Sequence, residues 1–355
     1  MVSFRSCSVP GALFAVARNL VRPILPEPHD HNPVPSSSFN TMVARKVIIL
    51  TDPGQDQAAA IMMMLSLRDS FDVLGLVATA GNTHLYYTIE NALKLVELTG
   101  RTDVPVFAGC PGPIKRDLVI ADHVHGPTGM DGAELPKPEV RALEKPGVDF
   151  IIETLWREPP GTVTICSLSP LTNLAVALLL APDIAPRIQE VVAMAGAYFE
   201  VGNITPTAEF NAYVDPEAAE RVLGAGLRLT LLPLDVTHHM RSTRKRLDSM
   251  KDVGTKSAVA LSEMLTFSEA FDLKKYGWDG APLHAPCVPL FMLEPDRFSG
   301  RLINVTIETS SPLTMGMTVA DWWGITDRPK NAFWVREGGS CRLYEVLNEA
   351  LTRLP

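Results

Sequence analysis

Apolar runs alternate with turn residues along the chain from residue 46 onward. The first run, residues 47–51, is rich in β-branched side chains and predicts a strand buried on both faces. Asp52-Pro53-Gly54 ends this run, and an alanine- and methionine-rich segment typical of a buried helix follows from residue 55. The same patterns predict further strands at 71–80, 104–108, 163–168, 188–195, 227–232, 302–308 and 331–335. They predict further helices at 87–99, 150–157, 171–180, 216–223, 256–271, 284–293 and 344–354.

This repeated strand–helix order predicts an α/β fold. We expect a single domain over residues 43–355, with an open, mainly parallel, doubly wound sheet and helices on both faces. Residues 1–42 differ in composition, because arginines appear with no acid before Glu27 and Pro, Ser and His are dense after residue 22. They predict a disordered or targeting extension. The expected location is cytoplasmic, and the alternative is mitochondrial, through an extension that is similar to a transit peptide.

Composition narrows the function. The net charge is −8 and the pI about 5.5, whereas proteins that bind nucleic acid usually present a basic face, so we expect no nucleic-acid partner. The longest apolar runs are too short to cross a bilayer, so we expect no membrane partner. The five cysteines are widely spaced and form no zinc-binding motif.

Polar residues follow the first two predicted strands. Asp52 and Asp56 flank a Pro-Gly turn, and Asn82 follows the second strand. One aspartate would suffice to cap the helix, and turn chemistry alone could explain Asn82. Two carboxylates at the carboxyl end of a strand instead favour a polar site in the crevice of an open α/β sheet, with both side chains pointing into it.

Four later motifs carry further candidates. The first is a loop at residues 123–132, HVHGPTGMDG, which contains His125, and the second is SPLTNLA at residues 169–175, which contains Thr172. The third, at residues 203–211, contains Asn203, Glu209 and Asn211. The fourth, at residues 282–288, contains His284. Amide and carboxylate groups in pairs suit a sugar, because each hydroxyl both donates and accepts a hydrogen bond. The long loop 111–136 and the segment 251–281 are the expected places for base recognition.

The stretch TDPGQDQAAAI resembles the amino-terminal signature of the nucleoside hydrolases, the inosine–uridine-preferring N-ribohydrolase family, which reads D-x-D-P-G-x-D-D-A. The chain matches at Asp52, Pro53, Gly54, Asp56 and Ala58, and departs at Leu50 and Gln57. The other motifs follow in the family's order between residues 47 and 293. The resemblance implies the nucleoside hydrolase fold and hydrolysis of ribonucleosides to base and ribose, as in purine and pyrimidine salvage.

The resemblance also implies residue roles. The catalytic residues would be Asp52 as the base, with His284 or His125 assisting the leaving base. The residues that bind the nucleoside would be Asp56, Asn82, Met194, Asn203, Glu209 and Asn211. Calcium would contact Asp52, Gln57 and the main-chain carbonyl of Thr172. Members of the family are commonly dimers or tetramers, so a homodimer or homotetramer is expected.

Three departures concern calcium. The family pattern has aspartates at the positions of Leu50, Gln57 and Ala285. Three carboxylates, at positions 52, 57 and 285, are expected at or near the ion, and only Asp52 remains. Gln57 could still offer a neutral carbonyl oxygen. Because calcium affinity rises with the number of carboxylates, we predict that calcium is bound weakly or not at all.

Two functions are therefore open. The first is a ribonucleoside hydrolase with weakened activity or altered metal use, and the second is a catalytically inactive protein that binds nucleoside or ribose. Two other stretches carry no predicted function. His238-His239 with the following Arg and Lys residues predicts a solvated basic face, and residues 62–64, three methionines, predict core packing.

Overall fold

The computed structural model describes residues 44–355. The predicted extension, residues 1–42, lies outside the described residues. Eleven strands are formed in the described part of the chain: β1 Arg45–Thr51, β2 Phe71–Ala78, β3 Val106–Ala108, β4 Val163–Ser167, β5 Ile188–Ala193, β6 Leu229–Leu231, β7 Arg241–Thr243, β8 Gly280–Pro282, β9 Phe298–Ile307, β10 Thr318–Asp321 and β11 Ala332–Gly338.

Nine of these strands form one sheet, in the order β10-β9-β11-β6-β5-β4-β1-β2-β3. The seven strands β11-β6-β5-β4-β1-β2-β3 are parallel to their neighbours. Strand β9 pairs antiparallel with both β11 and β10. The predicted mainly parallel α/β sheet is confirmed. Strands β7 and β8 form a separate antiparallel pair, and they were not predicted.

Twelve α-helices occur between residues 44 and 355: α1 Gln55–Ser66, α2 Leu85–Leu98, α3 Asp122–His125, α4 Gly147–Arg157, α5 Thr172–Leu180, α6 Phe210–Val214, α7 Pro216–Leu223, α8 Leu234–Thr237, α9 Arg244–Lys251, α10 Lys256–Tyr276, α11 Cys287–Leu293 and α12 Ser340–Thr352. The short helices α3, α6, α8 and α9 were not predicted. None of the helices in this part of the chain is both long and apolar enough to span a bilayer.

Strand β1 is buried on both faces, as its sequence predicts. Val47 and Ile49 belong to one apolar core, together with α1 and much of α10 and α12. Ile48 and Leu50 belong to a second core on the opposite face, with α4, α5 and α7. The predicted methionines at 62–64 are fully buried in the first core. Helices therefore cover both faces of the sheet around β1, which pairs with β4 on one side and β2 on the other.

Replacing Leu50 by Asp restores the acid of the family pattern but places it inside the second core, where Leu50 is 0% exposed. We expect a loss of roughly 3 to 5 kcal/mol in the free energy of unfolding, because an unpaired buried charge is left without compensation. Leu50→Met is the matched control and should cost less than about 1.5 kcal/mol. Urea titrations followed by circular dichroism compare the two. A near-neutral Leu50→Asp would show that this side chain faces the site rather than the core.

Candidate active site

The turn after β1 lies where the connections of the sheet change direction. Chain order runs from β1 outward through β2 and β3 on one side, and through β4, β5 and β6 on the other. The carboxyl end of β1 therefore opens into the crevice between two sets of loops, which is where open α/β sheets bind ligands. Residues 52–54 connect β1 to α1 at this point.

A cavity at this crevice collects most of the predicted site residues. Nine of them line it: Asp56, Gln57, Asn82, His125, Met194, Asn203, Glu209, Asn211 and His284. Asp52 and Thr172 are not on its wall. Residues separated by more than 200 positions in sequence thus converge on one space. Their roles in catalysis and binding stay predictions.

Asp52 lies directly behind the cavity wall and is 0% exposed. Its Oδ1 accepts a hydrogen bond from the Gln57 side-chain amide at 2.6 Å, and its Oδ2 accepts one from the backbone N–H of Asn82 at 2.6 Å. Burial raises the pKa of Asp52 to about 8, against the opposing effect of these two donors. The expectation that both carboxylates point into the crevice therefore holds for Asp56 and is wrong for Asp52.

The side chain of Gln57 is fixed by two donors. Its Oε1 accepts from the backbone N–H of Asp52 at 3.0 Å and from Thr51 Oγ1 at 2.6 Å. Because a backbone N–H can only donate, the carbonyl end of the amide must face it. The expectation that Gln57 offers its carbonyl oxygen to a cation is wrong for this conformation, since its NH2 group faces Asp52 instead.

The remaining donor set does not fit calcium. Calcium takes six to eight oxygen ligands, whereas Leu50 is in the core and Ala285 contributes a backbone N–H that donates to Asp56 Oδ2 at 3.1 Å. The Thr172 hydroxyl donates to Asp215 at 2.7 Å, and the calcium contact implied for the main-chain carbonyl of Thr172 stays a prediction. No group of three or more His, Cys, Asp or Glu residues in the described chain is arranged to hold a metal ion.

Amides and a carboxylate shape the far side of the cavity. Asn211 Nδ2 donates to the carbonyls of Met194 (2.9 Å) and Leu168 (3.2 Å), so its oxygen is the group left for a ligand. Asn203 Oδ1 accepts from the backbone N–H of Phe210 at 2.8 Å, so its NH2 group is left for a ligand. The two amides thus offer one acceptor and one donor, each fixed by the backbone.

Glu209 holds these amides in place. It is the N-cap of α6, where its oxygens accept from the backbone N–H groups of Asn211 and Ala212, and it also accepts from Gly196 at 3.0 Å. Burial raises its pKa to about 7. Each carboxylate oxygen has two acceptor positions, so Glu209 can bind a hydroxyl while it caps the helix.

His125 is oriented by α1. Gln55 Nε2 donates to the carbonyls of His125 (3.0 Å) and Asp131 (2.9 Å), which fixes Gln55 Oε1 as an acceptor. His125 Nδ1 lies 2.5 Å from that oxygen and therefore carries the hydrogen, so Nε2 is the unprotonated nitrogen. Burial lowers the pKa of His125 to about 4, and the imidazole is neutral at pH 7.

His284 is also neutral, because burial lowers its pKa well below the ordinary value. Its Nδ1 lies 2.8 Å from Thr237 Oγ1. The nearby His238 is 2% exposed, packs 5.7 Å from the His284 ring and contacts Glu200 at 3.1 Å. The prediction that His238 belongs to a solvated basic face is wrong, since Tyr276 and Trp278 pack against its ring.

The carboxyl end of α10 supplies cavity residues that the sequence did not single out. They lie one turn apart on one face of the helix: Ser268, Phe271, Asp272, Lys275 and Tyr276. The imidazole of His123 packs on the Phe271 ring at 5.1 Å, so the two segments expected to recognise the base meet here. The i, i+4 spacing of polar residues at 268, 272 and 276 was the available signal.

Comparison with known proteins agrees with this geometry. The sequence profile described as inosine-uridine preferring nucleoside hydrolase matches residues 47–343. An uncharacterized protein of Schizosaccharomyces pombe is 46% identical over 87% of this chain and all of its own length. The pyrimidine-specific ribonucleoside hydrolase RihA of Shewanella woodyi is 38% identical over 82% of this chain and 92% of its own. Among solved structures, a plant nucleoside hydrolase superposes with a TM-score of 0.83, at 28% identity, over 87% of this chain and 99% of that one.

The profile match covers most of the chain, and both curated relatives exceed 30% identity over more than two thirds of it. The solved structure extends the likeness to the fold. None of these comparisons supports the alternative of a binding protein without catalysis. The chain belongs to the inosine–uridine preferring nucleoside hydrolase family and is a ribonucleoside hydrolase.

Proposed function

We propose that the chain hydrolyses pyrimidine ribonucleosides, such as uridine and cytidine, to the free base and ribose, and serves nucleoside salvage. The observation that carries the proposal is the cavity in which Asp56, Asn203, Glu209 and Asn211 converge beside Asp52. The similarity to a hydrolase named as pyrimidine-specific supports the choice of base.

The ribose lies against the amide and carboxylate side of the cavity in this proposal. Asn211 offers an oxygen and Asn203 offers an NH2 group, so adjacent hydroxyls can donate to one and accept from the other. Asp56 and Glu209 accept the two remaining hydroxyl hydrogens, Asn82 lines the same wall, and Met194 supplies an apolar contact. These side chains give each of the three ribose hydroxyls a hydrogen-bond partner.

The bond that breaks joins the anomeric carbon to a ring nitrogen of the base. Water supplies the new C–O bond, one water proton passes to Asp52, and the electron pair of the C–N bond leaves with the base. A base with a pKa near the working pH is the most effective proton acceptor, and Asp52 has a pKa of about 8. Water must reach Asp52 between Gln57 and Asn82, which both line the cavity and both contact the carboxylate.

The departing base needs a proton or a hydrogen bond. His125 and His284 are neutral, so neither supplies a proton as an imidazolium at pH 7. Asp272 lines the cavity on α10, and burial raises its pKa to about 7, with the Lys275 ammonium acting in the opposite direction. We therefore assign the proton donor to Asp272 and a neutral hydrogen-bonding role to His284 and His125.

This assignment predicts a pH dependence. Asp272 donates only when protonated and Asp52 accepts only when ionised, so kcat/KM for uridine should be greatest between about pH 7 and pH 8 and fall on either side. Asp272→Asn should lower kcat/KM at pH 6 by roughly 10²-fold or more and remove the fall above about pH 8. Initial rates between pH 5 and 9 measure both. Asp279→Asn, at an exposed aspartate three residues beyond α10, is the control and should keep the wild-type profile. An unchanged profile in Asp272→Asn would assign the proton to another group.

The function itself is tested by incubating the full chain with uridine, cytidine and inosine and quantifying free base and ribose by chromatography. We expect release of uracil and cytosine with kcat/KM at least about tenfold above that for inosine. Faster release of hypoxanthine would contradict the pyrimidine assignment. Absence of release from all three nucleosides would contradict the enzymatic function.

Assembly and location stay predictions. A homodimer or homotetramer would be seen by light scattering coupled to size-exclusion chromatography. Cytoplasmic location, with the mitochondrial alternative, is tested by imaging the full chain tagged at its carboxyl end.

A further inference from the structure

The strongest unexplained feature of the site is the pairing of Gln57 with Asp52. Gln57 sits where the family pattern has an aspartate, and its amide is held from both ends. The carbonyl end is fixed by the Asp52 backbone N–H and Thr51 Oγ1, and the NH2 end reaches Asp52 Oδ1 at 2.6 Å. Thr51 and Asp52 are fully buried and Gln57 is 4% exposed, so solvent competes little for the amide.

Both oxygens of Asp52 are occupied by N–H donors. Asn82 supplies its backbone N–H to Oδ2 at 2.6 Å, and its side-chain NH2 donates to the Asp52 carbonyl at 2.9 Å. A Cβ on Gly81 would lie 2.0 Å from Oδ2, which shows how closely the backbone approaches this carboxylate. Two N–H dipoles thus point their positive ends at the one carboxylate that the resemblance assigns to calcium.

A cation at this position would meet these N–H groups rather than oxygen ligands. To turn its oxygen toward the ion, Gln57 would have to give up the hydrogen bonds from Asp52 N and Thr51 Oγ1, and both donors would then be buried without an acceptor. Ala285 adds no oxygen ligand from its side chain, and its N–H already serves Asp56. Turning the Gln57 oxygen toward a cation therefore breaks two hydrogen bonds and adds only one neutral ligand.

We infer that the amide of Gln57 replaces a resident calcium ion in this chain, so that nucleoside binding and hydrolysis are independent of calcium. Gln57 is a positioning residue: its N–H stabilises and orients the Asp52 carboxylate without contacting the reacting atoms. The inference rests on the proposed function for its kinetic part, whereas its binding part concerns the protein alone.

The binding part is tested on the full chain freed of metal with EDTA. Calcium chloride is titrated in a calorimeter, and the melting temperature is measured with and without ~1 mM calcium. A site with a Kd of about 10⁻⁵ M would raise Tm by about 4 °C under these conditions, whereas we expect less than about 1 °C and no saturable heat. Saturable binding in the micromolar range would overturn the inference, whatever the enzymatic activity.

The kinetic part compares uridine hydrolysis in EDTA and in calcium. We expect kcat/KM to agree within about twofold, because no step depends on the ion, and a loss of 10²-fold or more in EDTA would overturn the inference. If neither sample hydrolyses any nucleoside and calcium still does not bind, the proposed function fails while the replacement of calcium by Gln57 stands.

Variants separate Gln57 from its surroundings. Ala285→Asp adds one carboxylate but leaves the amide of Gln57 on Asp52, so we expect calcium binding no tighter than a Kd of about 1 mM. Gln57→Asp combined with Ala285→Asp should bind calcium at least about tenfold more tightly than the single variant, since charge and ligand number both rise. Equal affinities in the single and double variants would show that Gln57 does not exclude the ion.

Gln57→Glu is a second test that keeps the shape of the side chain. It places a carboxylate oxygen against Asp52 Oδ1 in place of the NH2 group. We expect a lower Tm in EDTA that calcium restores by several degrees, because the ion relieves the repulsion between the two carboxylates. A variant whose Tm equals that of the wild type and does not respond to calcium would contradict the inference.

Discussion

Replacing Asp52 by Asn is expected to lower kcat/KM for uridine by about 10³-fold, within the range that a general base contributes. The amide has nearly the same shape as the carboxylate, but its nitrogen cannot accept a proton from water. In the wild type, Gln57 Nε2 and Asn82 N each donate to an oxygen of Asp52. In the variant, one of these two donors faces the NH2 group of the new amide instead of an oxygen. The measurement is the initial rate of uracil release at saturating and subsaturating uridine.

Asp215→Asn is the matched control for this variant. Asp215 is equally buried and accepts from three donors, Ile114 N, Thr172 Oγ1 and Ala218 N, but it is not on the cavity wall. The control should lower stability, since α7 loses part of its N-cap, and keep the wild-type kcat/KM while it is folded. If both variants lose activity to the same extent, the effect of Asp52→Asn reflects structural damage and not the loss of a base.

We expect the free energy of unfolding to fall by a net ~2 kcal/mol between pH 6.5 and pH 8, because buried carboxyl groups bind protons more tightly in the folded than in the unfolded state. Burial raises the pKa of Asp52 from 3.8 to about 8, that of Glu209 from 4.5 to about 7 and that of Asp272 from 3.8 to about 7. For a carboxyl group with a raised pKa, stability is greatest at low pH and is lost as pH rises toward the folded-state pKa. Urea titrations at constant ionic strength measure the change.

Histidines act in the opposite direction over this window. Burial lowers the pKa values of His125, His238 and His284, so they are neutral in the folded protein, whereas about half of each is protonated in the unfolded chain at pH 6.5, which offsets about 1 kcal/mol of the fall. Asp52→Asn removes the largest carboxyl contribution and should abolish most of the pH dependence between pH 6.5 and 8. A wild-type stability that is constant or rises over this window would show that Asp52 is ionised in the folded protein at pH 6.5.

Much of the fold could be predicted because its strands are short apolar runs between turns. The pattern around residues 47–51 places alternate side chains in two cores, and the structure has both. The strands that were missed, β7, β8 and β10, have three or four residues each. Runs of that length carry too little periodicity to be distinguished from loops.

The residues of the site could be predicted from motifs, but their contacts could not. The burial of Asp52 depends on where the backbone of Asn82 and the side chain of Gln57 lie, and neither position is encoded locally. His238 was misassigned because the charged residues that follow it indicate solvent, whereas Tyr276 and Trp278, nearly 40 positions away, cover its ring. Asp272 was missed because its helix extends to Tyr276, five residues beyond the predicted end.

The hydrogen bonds of Gln55 join two properties of the cavity that a sequence would treat as separate. One NH2 group anchors residues 125 and 131 of the loop, and the oxygen of the same amide decides which ring nitrogen of His125 carries its hydrogen. Any substitution at Gln55 therefore alters the path of the loop and the tautomer of the imidazole at once. We therefore expect relatives with a different residue at this position to differ in two properties together. One is the hydrogen bonding of the histidine to the leaving base, and the other is the shape of the cavity mouth.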